Sequence, residues 1–176
     1  MTKNIGSKQI CSRKDCLVCI HEDSKGNCKA ESITYQINCN RSPCNLNFDP
    51  KSPLEIQDSL NDPPYLYRGE SSRTSYIRGS QHLRDYRGKR DKSVLWKHTK
   101  DKHGGVIGDE RGSQDFRMIQ LEKWPKPLDR LTAEGVLIRE LEELHDEDKA
   151  VCLNSKSDFR QSHQVTLAFS SGSNLD

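Results

Sequence analysis

Alternating apolar and polar positions predict a few short strands in this chain. Within residues 31–38, the side chains of Ile33, Tyr35 and Ile37 fall on one face of such a strand. Further strands are predicted at residues 65–69, 116–122 and 165–169. Residues 45–64 are polar and contain four prolines, so we expect a surface loop there that joins the first two strands as a hairpin.

Helical spacing predicts three helices, at residues 72–83, in a segment that ends near residue 103, and at residues 129–144. Serine and threonine caps begin the first. In the third, Glu134 lies on the same stripe as Leu131, Ile138 and Leu141. A carboxylate on an inward stripe is costly unless it is paired or bound to a metal. The alternatives are a position at the rim of the stripe or a pair with an arginine.

Composition limits the size of the core. Of the 176 residues, 32% are hydrophobic and 31% are charged, so we expect one modest α/β (α+β) domain with a small appendage and some loose segments. There is no run of 18 apolar residues, so we predict no membrane partner. The first residues also lack the apolar stretch of a signal peptide, which predicts an intracellular, reducing location.

Seven cysteines, six of them within residues 11–44, favour metal binding over disulfides. A reducing compartment disfavours disulfides, and the number is odd. Four thiolates on a short, loop-rich segment can close a tetrahedral Zn²⁺ site, with His21 as a substitute ligand. The four are Cys11, Cys16, Cys19 and Cys28. Cys152 stands apart and is interpreted as a small buried residue.

A second set of metal ligands is divided between two distant pairs. Cys39 and Cys44 form one pair, His98 and His103 form the other, and each pair has the spacing of a zinc finger. The 53 residues between the pairs are more than a finger allows. If the pairs meet, the site connects the loop after the first strand to the end of the second helix. The alternative is two unrelated pairs.

Residues 65–103 are strongly basic. They hold eleven Lys or Arg against four Asp or Glu, a local charge of 11 − 4 = +7 in a chain of net charge +2. Arg78 and His82 are four residues apart and project from one helix face, where they could stabilise a phosphorane and transfer protons. A basic surface with these side chains suits phosphodiester chemistry. The alternative is a solvated basic helix.

Together these residues resemble a GIY-YIG endonuclease domain of the variety attached to Penelope-like retroelements. Residues 33–35 stand where that family has its first motif, and residues 67–69 stand at the second. Residues 69–73, followed by Arg78 and His82, resemble the pattern of the subgroup. The Cys-rich segment and the two Cys and two His residues are also similar, and the resemblance covers roughly residues 11–160.

The chain departs from the family pattern at three places. Ile33 replaces the glycine of the first motif, and Arg68 stands where an isoleucine would pack. Residues 45–64 are long for a connection between paired strands. An inward arginine at position 68 could disturb the sheet or mark an inactive copy.

The resemblance implies a three-stranded antiparallel sheet flanked by helices and hydrolysis of DNA with one divalent metal, Mg²⁺ or Mn²⁺, held by Glu134. Tyr35, with Tyr67 beside it, would help to activate water, and His82 is the competing base. Asn154 matches the family's asparagine and would orient a neighbour or the backbone near the metal. The implied catalytic residues are Tyr35, Tyr67, Arg78, His82, Glu134 and Asn154. The residues expected to grip the DNA backbone are Arg84, Arg87, Lys89, Arg90, Lys92 and Lys97.

We therefore predict a DNA-nicking endonuclease derived from a retroelement and acting in the nucleus, where the nick would prime reverse transcription. A reverse transcriptase domain of a parent polyprotein is a further expected partner. The predicted divisions are a zinc segment at 1–30, a nuclease-like domain at 31–160 and a strand and tail at 161–176. Two alternatives are a catalytically inactive, nucleic-acid-binding zinc protein on the same fold and a cross-braced zinc module that binds proteins.

Overall fold

A mixed four-stranded sheet and three helices form the part of the chain that the computed structural model describes, residues 11–20, 27–42, 44, 65–146 and 151–154. The strands are β1 (Ile33–Cys39), β2 (Tyr65–Ser71), β3 (Phe116–Lys123) and β4 (Val151–Cys152). The helices are α1 (Ser75–Arg87), α2 (Val94–Lys102) and α3 (Pro127–Asp146). The predicted α+β class and Cys-rich cluster are confirmed. None of the described helices is long and apolar enough to cross a membrane.

The strand order is β3-β1-β2-β4. β1 is central and pairs antiparallel with both β2 and β3, which confirms the expected pairing of the first two strands. β4 pairs with β2 in parallel, so the predicted three-stranded antiparallel sheet is corrected to a mixed sheet of four strands. Sequence periodicity could not reveal β4, because it has only two residues. The chain stays beside β2 through a bond from Leu153 N to Leu66 O, of 2.8 Å.

The two faces of the sheet contact different helices. Ile33, Tyr35 and Ile37 belong to a core cluster that includes buried residues of α1 and α2, as the alternation predicts. Residues of the opposite face contact α3, where Arg68 donates to the carbonyl of Leu137. Both faces of β1 are buried throughout. The sheet therefore separates two layers, and the phenol of Tyr35 lies in the α1–α2 layer.

Two helices begin with the caps that their sequences suggest. Thr74 caps α1 by accepting a hydrogen bond from Ile77 N at 3.3 Å, and Ser93 caps α2 by accepting one from Trp96 N at 3.2 Å. α1 begins three residues later than predicted, because Ser71 accepts a bond from Arg73 N and holds a turn before the helix. α3 extends two residues beyond its predicted bounds at each end. Pro127 is its first residue, a position at which proline loses no helical hydrogen bond.

The apolar stripe of α3 is narrower than predicted. Ile138 and Leu141 are fully buried, whereas Leu131 and Glu134 are only half-buried. Leu141 packs with Leu66, and Cys152 lies against this pair as a half-buried residue, not a fully buried one. Glu134 thus lies at the rim of the stripe, which is where its carboxylate can reach the end of β2.

Several predictions concern residues outside the described ranges. These are the loop at 45–64, the strand at 165–169, the tail and His21 as a substitute ligand. The predicted domain boundaries likewise stay predictions.

Candidate active site and metal centres

The phenol of Tyr35 is the meeting point of three predicted site residues. Its oxygen accepts a hydrogen bond from Arg78 Nε at 2.8 Å and lies 2.9 Å from His82 Nε2. The ring centroid of Tyr67 is 6.3 Å from that of Tyr35 and 5.5 Å from that of His82. Residues separated by 47 positions in the chain therefore form one hydrogen-bonded cluster. We call Tyr35, Tyr67, Arg78 and His82 the tyrosine cluster.

A glycine makes the approach of the two tyrosines possible. A Cβ atom on Gly69 would lie 2.6 Å from the Tyr35 oxygen and 3.2 Å from Cε1 of Tyr67. Gly69 pairs with Tyr35 in the register of β1 and β2. The second motif of the sequence thus ends in glycine because the phenol of the first motif occupies the space of a side chain.

Burial decides the protonation states in the tyrosine cluster. It raises the pKa of Tyr35 well above the usual value, and the neighbouring Tyr67 adds to the rise while Arg78 opposes it. Burial and the charge of Arg78 lower the pKa of His82 to about 3. For Arg78, burial lowers the pKa, but the two phenols outweigh it and leave the pKa raised. The cluster therefore holds a neutral phenol, a neutral imidazole and a guanidinium.

Glu134 reaches the same end of the sheet from α3. Its Oε1 accepts a hydrogen bond from Glu70 N at 3.1 Å. Its charge contributes to the raised pKa of Tyr35, which places the carboxylate within electrostatic reach of the phenol. Glu70 itself is bound by Arg130, a buried arginine that also donates to Trp124 O at 3.3 Å. The predicted carboxylate thus adjoins the tyrosine cluster.

Asn154 acts on the backbone of the second motif. Its side-chain oxygen accepts from Arg68 N at 2.9 Å, and its side-chain nitrogen donates to Arg68 O at 2.7 Å. The amide therefore satisfies both backbone groups of one β2 residue, as a neighbouring strand would. The predicted role of Asn154, to orient a neighbour or the backbone near the metal, stays a prediction.

Arg68 is accommodated on the α3 face of the sheet and does not disturb it. Its Nε donates to Gln36 at 3.0 Å, and its Nη1 donates to Leu137 O at 2.7 Å and to Glu140 at 3.2 Å. Gln36 is the register partner of Arg68 on β1. Because the buried guanidinium has these partners, it points away from the Tyr35 phenol and gives no reason to regard the cluster as damaged.

The first four cysteines form one group with the dimensions of a metal site. Their sulfur atoms all lie within 4.8 Å of one another. The Sγ atoms of Cys28 and Cys11 are 3.7 Å apart. Two sulfur ligands of a tetrahedral Zn²⁺ with bonds of about 2.3 Å are expected to lie about 3.8 Å apart, which is close to this distance. Burial raises the pKa of Cys16 strongly and that of Cys19 to about 11. A cation among these sulfurs would favour the thiolates, so the donor set suits a thiophilic metal.

The second group brings the two distant pairs together. Cys39, Cys44, His98 and His103 also have ligand atoms within 4.8 Å of one another. His103 Nε2 is 3.4 Å from Cys39 Sγ and 3.6 Å from Cys44 Sγ. The ring nitrogens of His98 are buried and have no hydrogen-bond partner in the described part of the chain. A metal ion would supply the missing partner, and the predicted link between the end of β1 and α2 is present.

The Cys-rich segment that carries the first candidate metal group is hydrogen-bonded to α1, the helix of Arg78 and His82. The carbonyl of Cys28 accepts a hydrogen bond from Tyr76 N at 3.0 Å, and that of Ala30 accepts one from Ser75 N at 2.9 Å. These bonds fix the first turn of α1 to the Cys-rich segment. Leu17 O accepts from Met118 N on β3. Neither group includes a residue of the tyrosine cluster. The first can affect the cluster through α1, and the second through β1, which carries both Cys39 and Tyr35.

The six predicted DNA-gripping residues are all exposed. They lie on the second half of α1, on the linker and on α2, and they are Arg84, Arg87, Lys89, Arg90, Lys92 and Lys97. Asp85 lies within 4.0 Å of three of them and offsets part of their charge. The remaining positive surface is still suitable for phosphate contacts.

Two structural features were not predicted. The Glu70–Arg130 pair joins β2 to α3, and a signal existed, since Arg130 lies one helical turn before Glu134. The carboxylate of Asp115 is buried and accepts from Tyr86 at 2.6 Å and from Gly108 N at 2.8 Å. No local pattern marks Asp115 as a buried acid.

Comparisons of the chain with models of protein families, with curated proteins and with solved structures find no match. The resemblance to GIY-YIG domains therefore depends on the motif residues themselves.

Proposed function

We propose that this chain is a metal-dependent DNA endonuclease of the GIY-YIG type, derived from a Penelope-like retroelement, that nicks the phosphodiester backbone. The observation that supports the proposal most is the contact of the Tyr35 phenol with both Arg78 and His82, at 2.8 and 2.9 Å. A phenol, a guanidinium and an imidazole at one point are the groups needed to move a proton and to stabilise a phosphorane.

The phenol–imidazole pair provides a path for the proton of an attacking water. His82 is neutral because its pKa is lowered to about 3, and in the tautomer with its hydrogen on Nδ1 the Nε2 atom accepts the hydroxyl hydrogen of Tyr35. In this proposal Tyr35 is protonated, and its oxygen takes a proton from water while its own proton passes to His82 Nε2. Because Tyr35 is 0% exposed, the step requires the phenol to become accessible when substrate binds. A phosphate beside Arg78 would offset the guanidinium charge that lowers the pKa of His82, and so would strengthen the base when substrate is bound.

Arg78 supplies permanent positive charge. Its guanidinium donates to Tyr35 and lies 3.4 Å from the oxygen of Gln81 through Nη1. A charged donor at this position stabilises the oxygens of the pentavalent phosphorus more than the ground-state phosphate. Exchange for lysine would keep the charge but lose the planar donor set.

Glu134 would hold the divalent cation, Mg²⁺ or Mn²⁺. When bound, such a cation stabilises the negative charge that develops on the leaving oxygen. A single carboxylate suits this cation, because Mg²⁺ keeps several waters and takes other ligands from substrate phosphate. The bond from Glu70 N orients the Glu134 carboxylate, and Arg130 holds Glu70 in turn.

We infer that the two Cys and His groups hold one structural Zn²⁺ each. Ligand separations of 3.4 to 3.7 Å agree with tetrahedral coordination, in which Zn–S is about 2.3 Å and Zn–N about 2.0 Å. The six exposed basic residues of α1, the linker and α2 would grip the DNA backbone with salt-dependent affinity. Nuclear action and a reverse transcriptase domain as partner belong to the same proposal.

A plasmid-nicking assay tests the function. Wild-type protein with Mg²⁺ should convert supercoiled plasmid to open circles, and Glu134→Gln should abolish conversion while DNA binding, measured by a salt titration, is unchanged. Tyr35→Phe should lower the nicking rate at least tenfold. Binding without cutting under Mg²⁺ or Mn²⁺ would favour the inactive nucleic-acid-binding protein, and absence of any DNA binding would favour a module that binds proteins.

A further inference from the structure

A groove of about 800 Å³ lies on the sheet face opposite to the tyrosine cluster. Its floor includes Thr34, next to Tyr35 on β1 and therefore on the other face of the strand. One wall is α3 from Asp129 to Glu140, and the other is the end of β3 with Trp124. We call this cavity the α3 groove. The proposed nuclease function does not use it.

Two buried polar atoms of the α3 groove have no partner among the described residues. Thr34 is 0% exposed, and its hydroxyl makes no hydrogen bond to that part of the chain. The indole Nε1 of Trp124 is also buried without an acceptor, counted over the residues that the structure describes. A buried polar group without a partner is destabilising, and native proteins keep few of them. Two such groups beside one cavity point to a ligand that offers an acceptor for the indole.

The walls of the α3 groove are apolar and its rim is acidic. Val136 is 51% exposed on the α3 wall, next to the half-buried Leu137. The rim carries three carboxylates, from Glu122, Asp129 and Glu140, against one guanidinium, Arg68, which is already bound to Glu140. A nucleic acid is disfavoured there by charge, whereas a cationic ligand with an apolar anchor is favoured.

The dimensions favour an extended peptide. Positions 129 and 140 are 11 residues apart on a helix, or about 16 Å, which is the length of about five residues of extended chain. In an extended chain, residues 1, 3 and 5 point the same way. A peptide with basic residues at its ends and an apolar residue at its centre would therefore match the acids at both ends and the apolar wall. One of its carbonyl oxygens would accept a hydrogen bond from the Trp124 indole N–H.

We propose that the α3 groove binds an extended, basic segment of a partner protein with an apolar side chain at its centre. This segment would contact Val136 through its apolar side chain and Asp129 and Glu140 through its basic ends.

The test uses the full chain and the labelled peptide Gly-Lys-Thr-Leu-Thr-Lys-Gly in fluorescence polarisation. We expect saturable binding, and at least tenfold weaker binding for Gly-Glu-Thr-Leu-Thr-Glu-Gly and for Gly-Lys-Thr-Ser-Thr-Lys-Gly. The variant Val136→Lys should weaken binding at least tenfold without changing plasmid nicking. The matched control Val106→Lys places the same charge on a residue that is 61% exposed and outside the groove, and should bind like wild type.

Indole signals in NMR spectra locate the peptide. The Nε1–H signal of Trp124 should shift on titration, and that of Trp96, which lies outside the α3 groove, should not. Equal binding of the acidic and basic peptides, unchanged binding by Val136→Lys, or a shift at Trp96 alone would each overturn the proposal. Because nicking is read separately, failure here is distinct from failure of the nuclease assignment.

Discussion

Replacing Gly69 by alanine tests the packing on which the tyrosine cluster depends. The new Cβ would lie 2.6 Å from the oxygen and 2.8 Å from Cζ of Tyr35, whereas ordinary contacts begin near 3.4 Å. The phenol must therefore move by about 0.8 Å, the difference between 3.4 and 2.6 Å. Its oxygen is bound at 2.8 Å by Arg78 and at 2.9 Å by His82, so a movement of this size takes at least one bond out of range.

The expected effect of Gly69→Ala on the free energy of unfolding is a loss of about 3 kcal/mol. Overpacking a core costs about 1–3 kcal/mol, and loss of a hydrogen bond to a charged group costs about 1.5–3 kcal/mol. Urea denaturation measures the sum, and the nicking rate should fall at least tenfold because the phenol leaves its partners. Unchanged stability together with unchanged nicking would refute the described packing.

Two further variants make the test specific. Gly79→Ala places a Cβ in ordinary contact, 3.5 Å from Leu17 and from Met118, and alanine favours the interior of a helix by about 0.5–1 kcal/mol. It should therefore be neutral or stabilising. In a Tyr35→Phe background the closest clashing atom is absent, so Gly69→Ala should cost less there. Equal costs in the two backgrounds would show that the phenol oxygen is not the obstacle.

Three other predictions follow from contacts of single residues. Arg68→Ala should lower the free energy of unfolding, measured by urea denaturation, by about 2–3 kcal/mol because it leaves buried acceptors unsatisfied. Glu140→Gln should lower it by less than about 1 kcal/mol because that carboxylate is more than half exposed. The reverse order would contradict the assignment of Arg68 as the buried partner. The ring of His82 should stay neutral between pH 5 and 8 in an NMR titration, and a midpoint near 6.5 in the folded protein would be inconsistent with burial. The pKa of His82 falls from 6.5 in the unfolded chain to about 3 in the folded protein. Its contribution to stability should therefore be complete above pH 6.5 and decrease as the pH falls toward 3. Cys16→Ser should lower the zinc content by about one ion per chain and should slow nicking by displacing α1, so full nicking at reduced zinc would contradict the bracing role.

Local pattern was sufficient for most of the fold. The period of two predicted that Tyr35 shares a strand face with Ile33 and Ile37, and the structure packs that face against α1 and α2. The spacing of Arg78 and His82 predicted that both project from one face of α1, and both reach Tyr35. The start of α1 was predicted three residues too early for two reasons. The side chain of Ser71 accepts a bond from Arg73 N and holds a turn there, and the carbonyl of the distant Ala30 accepts a bond from Ser75 N, a contact that no local capping rule contains. β4 was missed for a similar reason, since its two residues are held by β2 and not by a pattern of their own.

The site was less accessible to sequence reasoning than the fold. An arginine in the second motif suggested a disturbed sheet, and only the register that sets Arg68 opposite Gln36 shows how its charge is satisfied. The spacing left open whether Glu134 lies on the inward stripe, at its rim or in a pair with an arginine, and the structure shows it half-buried, accepting from Glu70 N. Helix spacing predicts the direction of a side chain around the helix axis only within about a quarter turn. This precision is too low to distinguish a buried carboxylate from one at the edge of the buried face.

The central claim is that Glu134 brings a divalent cation to the tyrosine cluster, and paramagnetic broadening by Mn²⁺ tests it most directly. The protein would be bound to a short DNA duplex with phosphorothioate linkages, which slow cleavage, and Mn²⁺ would be added while the imidazole signals of His82 are followed. We expect Mn²⁺ to broaden these signals in wild-type protein and to leave them sharp in Glu134→Gln. Absence of broadening in wild type, or equal broadening in both proteins, would contradict it.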